Sequence, residues 1–120
     1  MGSENSRLRI TEKDGITRVD FIDRDILDEA NIRQIGSELL RLVDSKPALK
    51  MLLCFRNVEH LSSAALGTLI TLHSTVKKKS GQLRMSDIRP QIFEVFVITK
   101  LNKLFTIDET GEQSMGRFSA

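Results

Sequence analysis

The sequence predicts an α/β fold, a single domain with a mixed, mostly parallel sheet and flanking helices in the order ββαβαβαβ, with room for a final helix. Three observations carry this. Leu49 to Phe55 is apolar except at Lys50, so the alternation of a half-exposed strand is lost and the run reads as a central strand buried on both faces. Stretches with helical spacing stand before and after it, which implies right-handed parallel crossovers. Asp14-Gly15 separates two strand-like runs, and that dipeptide suits the positive φ angles of a type I′ hairpin.

The bulk numbers agree with one domain. The chain has 120 residues, 40% of them hydrophobic and 28% charged, enough for one core and an ordinary soluble surface. The domain is placed at residues 7–110, followed by a polar stretch at 111–120 that reads as a tail or a short frayed helix. A formal net charge of +2, with Trp and Tyr absent, argues against a nucleic-acid partner. No apolar run approaches the roughly 20 residues a membrane span needs. The amino terminus is polar and lacks the apolar core of a secretion signal, so a cytoplasmic location is expected. Cys54 is the single cysteine; it cannot form an internal disulfide and reads as a small buried hydrophobe.

Taken in order, Leu8 to Lys13 and Ile16 to Ile22 are the hairpin strands, with Val19 and Phe21 alternating with Arg18 and Asp20. Asp23-Arg24-Asp25 reads as a charged, solvated loop. Asp28 is the expected N-cap of a helix from about Glu29 to Asp44, with Leu27 and Ile32 at the positions of a hydrophobic staple. Ile32, Ile35, Leu39, Leu42 and Val43 mark its inner face, and Ser45-Lys46-Pro47 stops it. After the central strand, Leu66, Leu69, Ile70, His73 and Val76 line a second helix. Lys77-Lys78-Lys79 closes that helix as a solvated end complementing the dipole, with Gly81 as its C′ residue. His73, alone on an apolar face without a partner at metal-ligand spacing, reads as structural. Leu83 and Met85 belong to a further strand. Ile88 to Lys100 is a third helix with Pro90 in its first turn and Ile92, Val95, Phe96 and Thr99 inward. Leu104 to Ile107 is a last short strand.

Enzyme signatures are missing. The chain holds no Gly-rich phosphate loop after a strand, no Gly-x-Ser-x-Gly elbow and no Cys/His cluster with metal spacing. No cofactor is expected. What stands out is Leu61-Ser62-Ser63-Ala64-Ala65-Leu66-Gly67, where a buried strand turns into a helix. With Ser62 at the N-cap, Leu61 and Leu66 fall at the N′ and N4 staple positions. Ser62 is then explained as a cap. Ser63 falls at N1, where free amides and the positive end of the helix dipole favour an anion. A phosphate there adds about −1.5 to −2 charges at one point.

The residues around Ser63, with the strand order, resemble a STAS domain of the anti-sigma-factor antagonist type. The family motif Asp-Ser-Ser/Thr-Gly-Leu-Gly is matched by Ser62-Ser63-Ala64-Ala65-Leu66-Gly67. Leu52 to Glu59, Gly81-Gln82-Leu83, Ile88-Arg89-Pro90 and Leu101-Asn102-Lys103-Leu104-Phe105 follow its pattern as well. The resemblance implies a non-enzymatic regulator that binds an anti-sigma factor, itself a serine kinase, and thereby releases a sigma factor. It implies Ser63 as the phosphorylated residue and a metal-dependent serine phosphatase that resets it. The partner surface it implies comprises Ser62, Ser63, Asp25, Asp28 and Gly67. The family Asp is Ser62 here, its second hydroxyl is Ala64 and its first Gly is Ala65. A scaffold or assembly subunit of a signalling complex, used without phosphorylation, is an alternative role of the same fold; a small-ligand-binding module is a third, weakened by the lack of convergent polar residues in the sequence. Exposed edge strands and helix faces leave room for a homodimer.

Overall fold

A computed structural model of the chain describes residues 7–118. The polar amino-terminal six residues, read above as lacking a leader, lie outside the described residues, as do the last two of the 111–120 stretch. The elements are β1 (Leu8–Lys13), β2 (Ile16–Phe21), β3 (Asp25–Ile26), α1 (Glu29–Ser45), β4 (Lys50–Cys54), β5 (His60–Leu61), α2 (Ser63–Lys78), β6 (Gln82–Ser86), α3 (Pro90–Ile98), β7 (Ile107–Asp108) and α4 (Gly111–Met115). The main sheet has the order β1-β2-β4-β6-β7. Only β1 runs antiparallel to its neighbour; β2, β4, β6 and β7 are mutually parallel. The expected α/β class is that of the molecule, and the main sheet with its helices follows the expected order; β3 and β5, which pair as a separate two-stranded sheet, are additional.

Alternation along the strands divides the sheet into two faces. On one, Val19, Phe21, Met51, Leu53 and Met85 are buried and join Ile35, Leu39 and Val43 of α1, Leu66, Leu69 and Val76 of α2, and Phe96 of α3 in one core. Phe55 is tilted against Phe21 at a centroid distance of 4.9 Å and meets Phe96 edge-on at 6.4 Å. The helices α1 and α2 approach closely at Gly36, where an added Cβ would stand 3.0 Å from Thr68 Cγ2. The opposite face carries Arg18, Asp20, Cys54, Arg84 and Ser86, and α4 lies over part of it against β4, β6 and β7. The central strand is buried from both sides, as its composition predicts.

Several boundaries differ from expectation for local reasons. The inner face of α2 includes Leu72, 1% exposed, whereas Ile70 stands 40% exposed. His73 is half-buried and meets Phe105 edge-on at 5.7 Å; burial, with Lys77 nearby, pushes its pKa down. Helix α2 ends in a Schellman arrangement, with Gly81 N donating to Val76 O and Ser80 N to Lys77 O. The left-handed residue is Ser80, not Gly81. Gly81 serves close approach instead, since a Cβ there would fall 2.5 Å from Leu49 O. Helix α3 ends at Ile98 because Lys100 turns left-handed and Leu101–Lys103 form a 3-10 turn. Leu104 and Phe105 are therefore loop residues; Phe105 packs on Phe96 at 5.7 Å, and the last strand starts at Ile107.

The carboxyl-terminal stretch forms α4, capped by Thr110, with Gly111 and Ser114 buried. Asp108, whose side chain is 1% exposed, holds it in place. Arg84 Nε donates to Asp108 Oδ2 at 2.8 Å and Arg117 Nη1 to Oδ1 at 2.7 Å, while Ser114 Oγ also bonds Asp108. The Arg84 guanidinium, aided by Ser114 and Arg117, holds this carboxyl well below the usual carboxylate range despite its burial. A depressed folded-state pKa stabilises the fold fully above the unfolded value of about 3.9 and is lost as pH falls further.

Two predictions follow from this packing. Gly81→Ala should destabilise the domain by about 1–3 kcal/mol in urea unfolding, because the obstructing atom is backbone and cannot swing aside. Asp108→Asn should cost about 1.5–3 kcal/mol at neutral pH, and its deficit relative to wild type should narrow as pH drops below about 4.

Candidate functional site

The site is built where β4 leaves the core. Phe55 N donates to Ser86 O and Val58 N to Phe55 O, both at 2.9 Å, and Val58 is fully buried as the anchor of the loop. Asn57 Nδ2 donates to Phe21 O at 3.2 Å, tying the loop to the end of β2. The chain then runs beside the segment that follows β2. Glu59 N donates to Arg24 O at 2.8 Å and Ser62 N to Ile26 O at 3.1 Å. Between those bonds β3 and β5 pair in parallel, Asp25 with His60 and Ile26 with Leu61. His60 Nδ1 stands 2.7 Å from Asp25 Oδ1. Asp23 and Arg24 lie in the expected charged loop, while Asp25 opens β3 and with Ile26 forms one half of a two-stranded clasp.

The clasp delivers the two serines in unequal settings. Ser62, extended at φ −85 and ψ 167, caps α2 by accepting a bond from Ala65 N at 3.2 Å. Leu61 is half-buried and Leu66 buried, as the staple requires. Ser63 is the first helical residue and is exposed. Its hydroxyl has no hydrogen-bond partner among the described residues, and the first-turn amides beside it face the positive end of the dipole.

The other predicted site residues take different places. Asp25 joins the serines through the clasp. Asp28 occupies the N-cap of α1 with its side chain making no capping bond. The staple proposed there does not close, because Leu27 is 52% exposed while Ile32 is buried. Leu27 instead extends an apolar side chain into solvent next to the clasp. Gly67 is exposed with open space where a Cβ would stand, so no steric demand explains it. Sequence reasoning missed His60 and Leu27. A pairing between residues 35 positions apart leaves no local signal, and a staple pattern is indistinguishable from an exposed leucine beside a helix start. Cys54 is buried as expected, and burial pushes its thiol up to about 11, so it stays protonated. Among the described residues, no group of three His, Cys, Asp or Glu is placed to hold a metal ion, and no helix is long and apolar enough to cross a membrane.

A five-stranded sheet with one antiparallel edge, the three longer helices packed on one face, and a serine pair opening the helix after its central strand define a small α/β domain. The sequence matches the STAS domain over residues 7–114, and the chain belongs to that family. BtrV of Bordetella bronchiseptica, which carries the name of an anti-sigma factor antagonist, is 25% identical over 93 residues, covering 78% of this chain and 79% of BtrV. Among solved structures, an anti-sigma-factor antagonist STAS protein from Planctomyces limnophilus superposes with a TM-score of 0.79 at 21% identity, covering 89% of this chain and 92% of that one. The Bacillus cell fate determinant SpoIIAA in its phosphorylated form gives a TM-score of 0.68 at 12% identity, covering 92% and 97%. These structures share the fold.

Ser62→Ala should lower unfolding stability by about 1 kcal/mol. His60→Ala should cost less than that while raising amide hydrogen exchange at Glu59 to Ser62, because the exposed pair fastens the loop more than it stabilises the domain.

Proposed function

We propose that this protein is an anti-sigma factor antagonist, binding an anti-sigma factor that is also a serine kinase, and that phosphorylation of Ser63 ends the interaction. The observation that carries the reading is the division of the serine pair. Ser62 is consumed by the cap, while Ser63 beside it is exposed, unbonded and placed at a helix start. The name of BtrV and those of the structural neighbours support the same role.

The surface around Ser63 suits a docking partner. Leu27 supplies an exposed apolar contact, and Asp25 and Asp28 supply charge. A phosphate on Ser63 would rest over the free amides of α2, leaving the fold intact. It would bring about two negative charges into a surface that already carries the clasp and cap carboxylates. A partner that covers this surface would have to desolvate that charge, which costs several kcal/mol. The kinase would supply the phosphoryl group and a metal-dependent serine phosphatase would remove it; this chain contributes only the acceptor hydroxyl. The domain then acts in the cytoplasm by protein contact and carries no catalytic residue.

A second reading has one observation in its favour. Phe93, Val97 and Ile98 on α3 are 40%, 46% and 74% exposed, a second apolar surface that suits a subunit of a larger assembly, a homodimer included.

Capture of partners from native-cell extract with Ser63→Ala and Ser63→Asp separates the two. The switch predicts that Ser63→Ala holds the kinase while Ser63→Asp weakens it by about tenfold or more, with phosphate found on Ser63 of the native protein by mass spectrometry. Equal binding by both variants would rule the switch out in favour of assembly.

A further inference from the structure

The sheet face away from α1, α2 and α3 holds a cavity of about 360 Å³ at the carboxyl ends of β2 and β4. Its charged lining is Arg9, Arg18 and Arg56 against the single carboxylate of Asp20. We propose that this cavity binds a small phosphate-bearing anion other than a nucleotide.

The strand register brings the groups together. Arg9 lies directly across from Asp20 in the β1–β2 ladder, and Asp20 is opposite Cys54 in the β2–β4 ladder. Arg18 is two residues before Asp20 and so shares its face. Its guanidinium is oriented before any ligand arrives. Nε and Nη2 bond the two oxygens of Asp20 at 3.2 Å each, and Nη2 also reaches Cys54 Sγ at 3.5 Å. Nη1 has no hydrogen-bond partner among the described residues and lies against α4, where a Cβ on Gly111 would stand 3.0 Å from it. Arg9 is exposed and makes no ion pair among the described residues. Arg56 is 69% exposed, and its ion pair to Asp87 is long at 3.7 Å. Such a contact is weak, and Asp87 is already engaged by Ser86 Oγ at 2.8 Å and Cys54 Sγ at 3.4 Å. The protonated Cys54 thiol adds no competing charge.

Three guanidinium groups against the carboxylates of Asp20 and, beside Cys54 and Arg56, Asp87 leave an excess of one positive charge, which favours a phosphate-bearing anion over a neutral ligand. The planar fork of arginine fits phosphate oxygens in pairs. A nucleotide is disfavoured by the lining. Its one aromatic residue, Phe21, is 2% exposed with its ring packed on Phe55 across the sheet, so no ring face is offered to a base.

The test follows the arginine Nε–H and backbone amide NMR signals of the full chain during titration with inorganic phosphate, glycerol 3-phosphate and adenosine monophosphate. Ionic strength is held constant with chloride. Saturable shifts at Arg18 Nε–H and the Asn57 amide are expected, weakened about tenfold in Arg9→Gln and in Arg56→Gln. Both substituted side chains are exposed, and the same spectra report whether each variant is folded. Tighter binding of glycerol 3-phosphate than of inorganic phosphate assigns an ester as occupant, and the reverse assigns the free ion; either supports the site. Shifts that chloride reproduces, shifts that do not saturate, or variants that bind like wild type overturn it. Preference for adenosine monophosphate overturns the exclusion of nucleotides.

Discussion

Burial of β4 on both faces is the constraint from which the rest of the molecule follows. Met51, Leu53 and Phe55 meet the three large helices while Leu52 and Cys54 meet the opposite side, all with at most 1% exposure. A strand so enclosed cannot shift register without moving its entire side-chain set to the wrong surroundings. Its carboxyl end is therefore a fixed point, and the serine pair and the arginine-lined cavity both lie within a few residues of it. The serine pair follows through a loop pinned by Val58 and Asn57. The arginine-lined cavity begins at Cys54 and Arg56 on the other side of the same strand.

The clasp of β3 and β5 converts that fixed point into a surface. A two-residue pairing is marginal alone, but here it stands between Arg24 O and Ile26 O, which accept bonds from Glu59, His60 and Ser62. The segment after β2 and the segment after β4 thus present as one unit. Ser63 inherits its position from this unit and from the cap formed by its neighbour. Replacing the family's Asp with Ser62 preserves that cap, because a hydroxyl accepts the first-turn amide as a carboxylate does. It removes one negative charge beside Ser63. Ala64 and Ala65, in place of the family's hydroxyl and glycine, favour the helical backbone from its first turn. The start of α2 is consequently stiff, and Ser63 is displayed from a rigid element.

The carboxyl-terminal segment shows how charge can do what composition does not announce. Residues 111–115 have almost no apolar content, yet Gly111 and Ser114 are buried. Asp108, enclosed by Arg84, Arg117 and Ser114, secures α4 to β6 and β7. With one carboxylate between two guanidinium groups, the buried charge is paired and hydrogen-bonded.

The sequence by itself determined the class, the order of the main elements, the central strand and the different settings of Ser62, as cap, and Ser63, at the first helical position. These depend on local periods, caps and turn residues, whose physics acts within a few positions along the chain. The tertiary structure alone decided the His60–Asp25 clasp, the exposure of Leu27, the anchoring of α4 by Asp108 and the gathering of Arg9, Arg18 and Arg56 around one cavity. Each of these joins residues from different elements, with no period or spacing to mark them. Even Gly81, legible as a helix-ending glycine, has its reason in the backbone of Leu49 across the fold. Local chemistry writes the elements into the chain; packing across the sheet determines which side chains meet at a site.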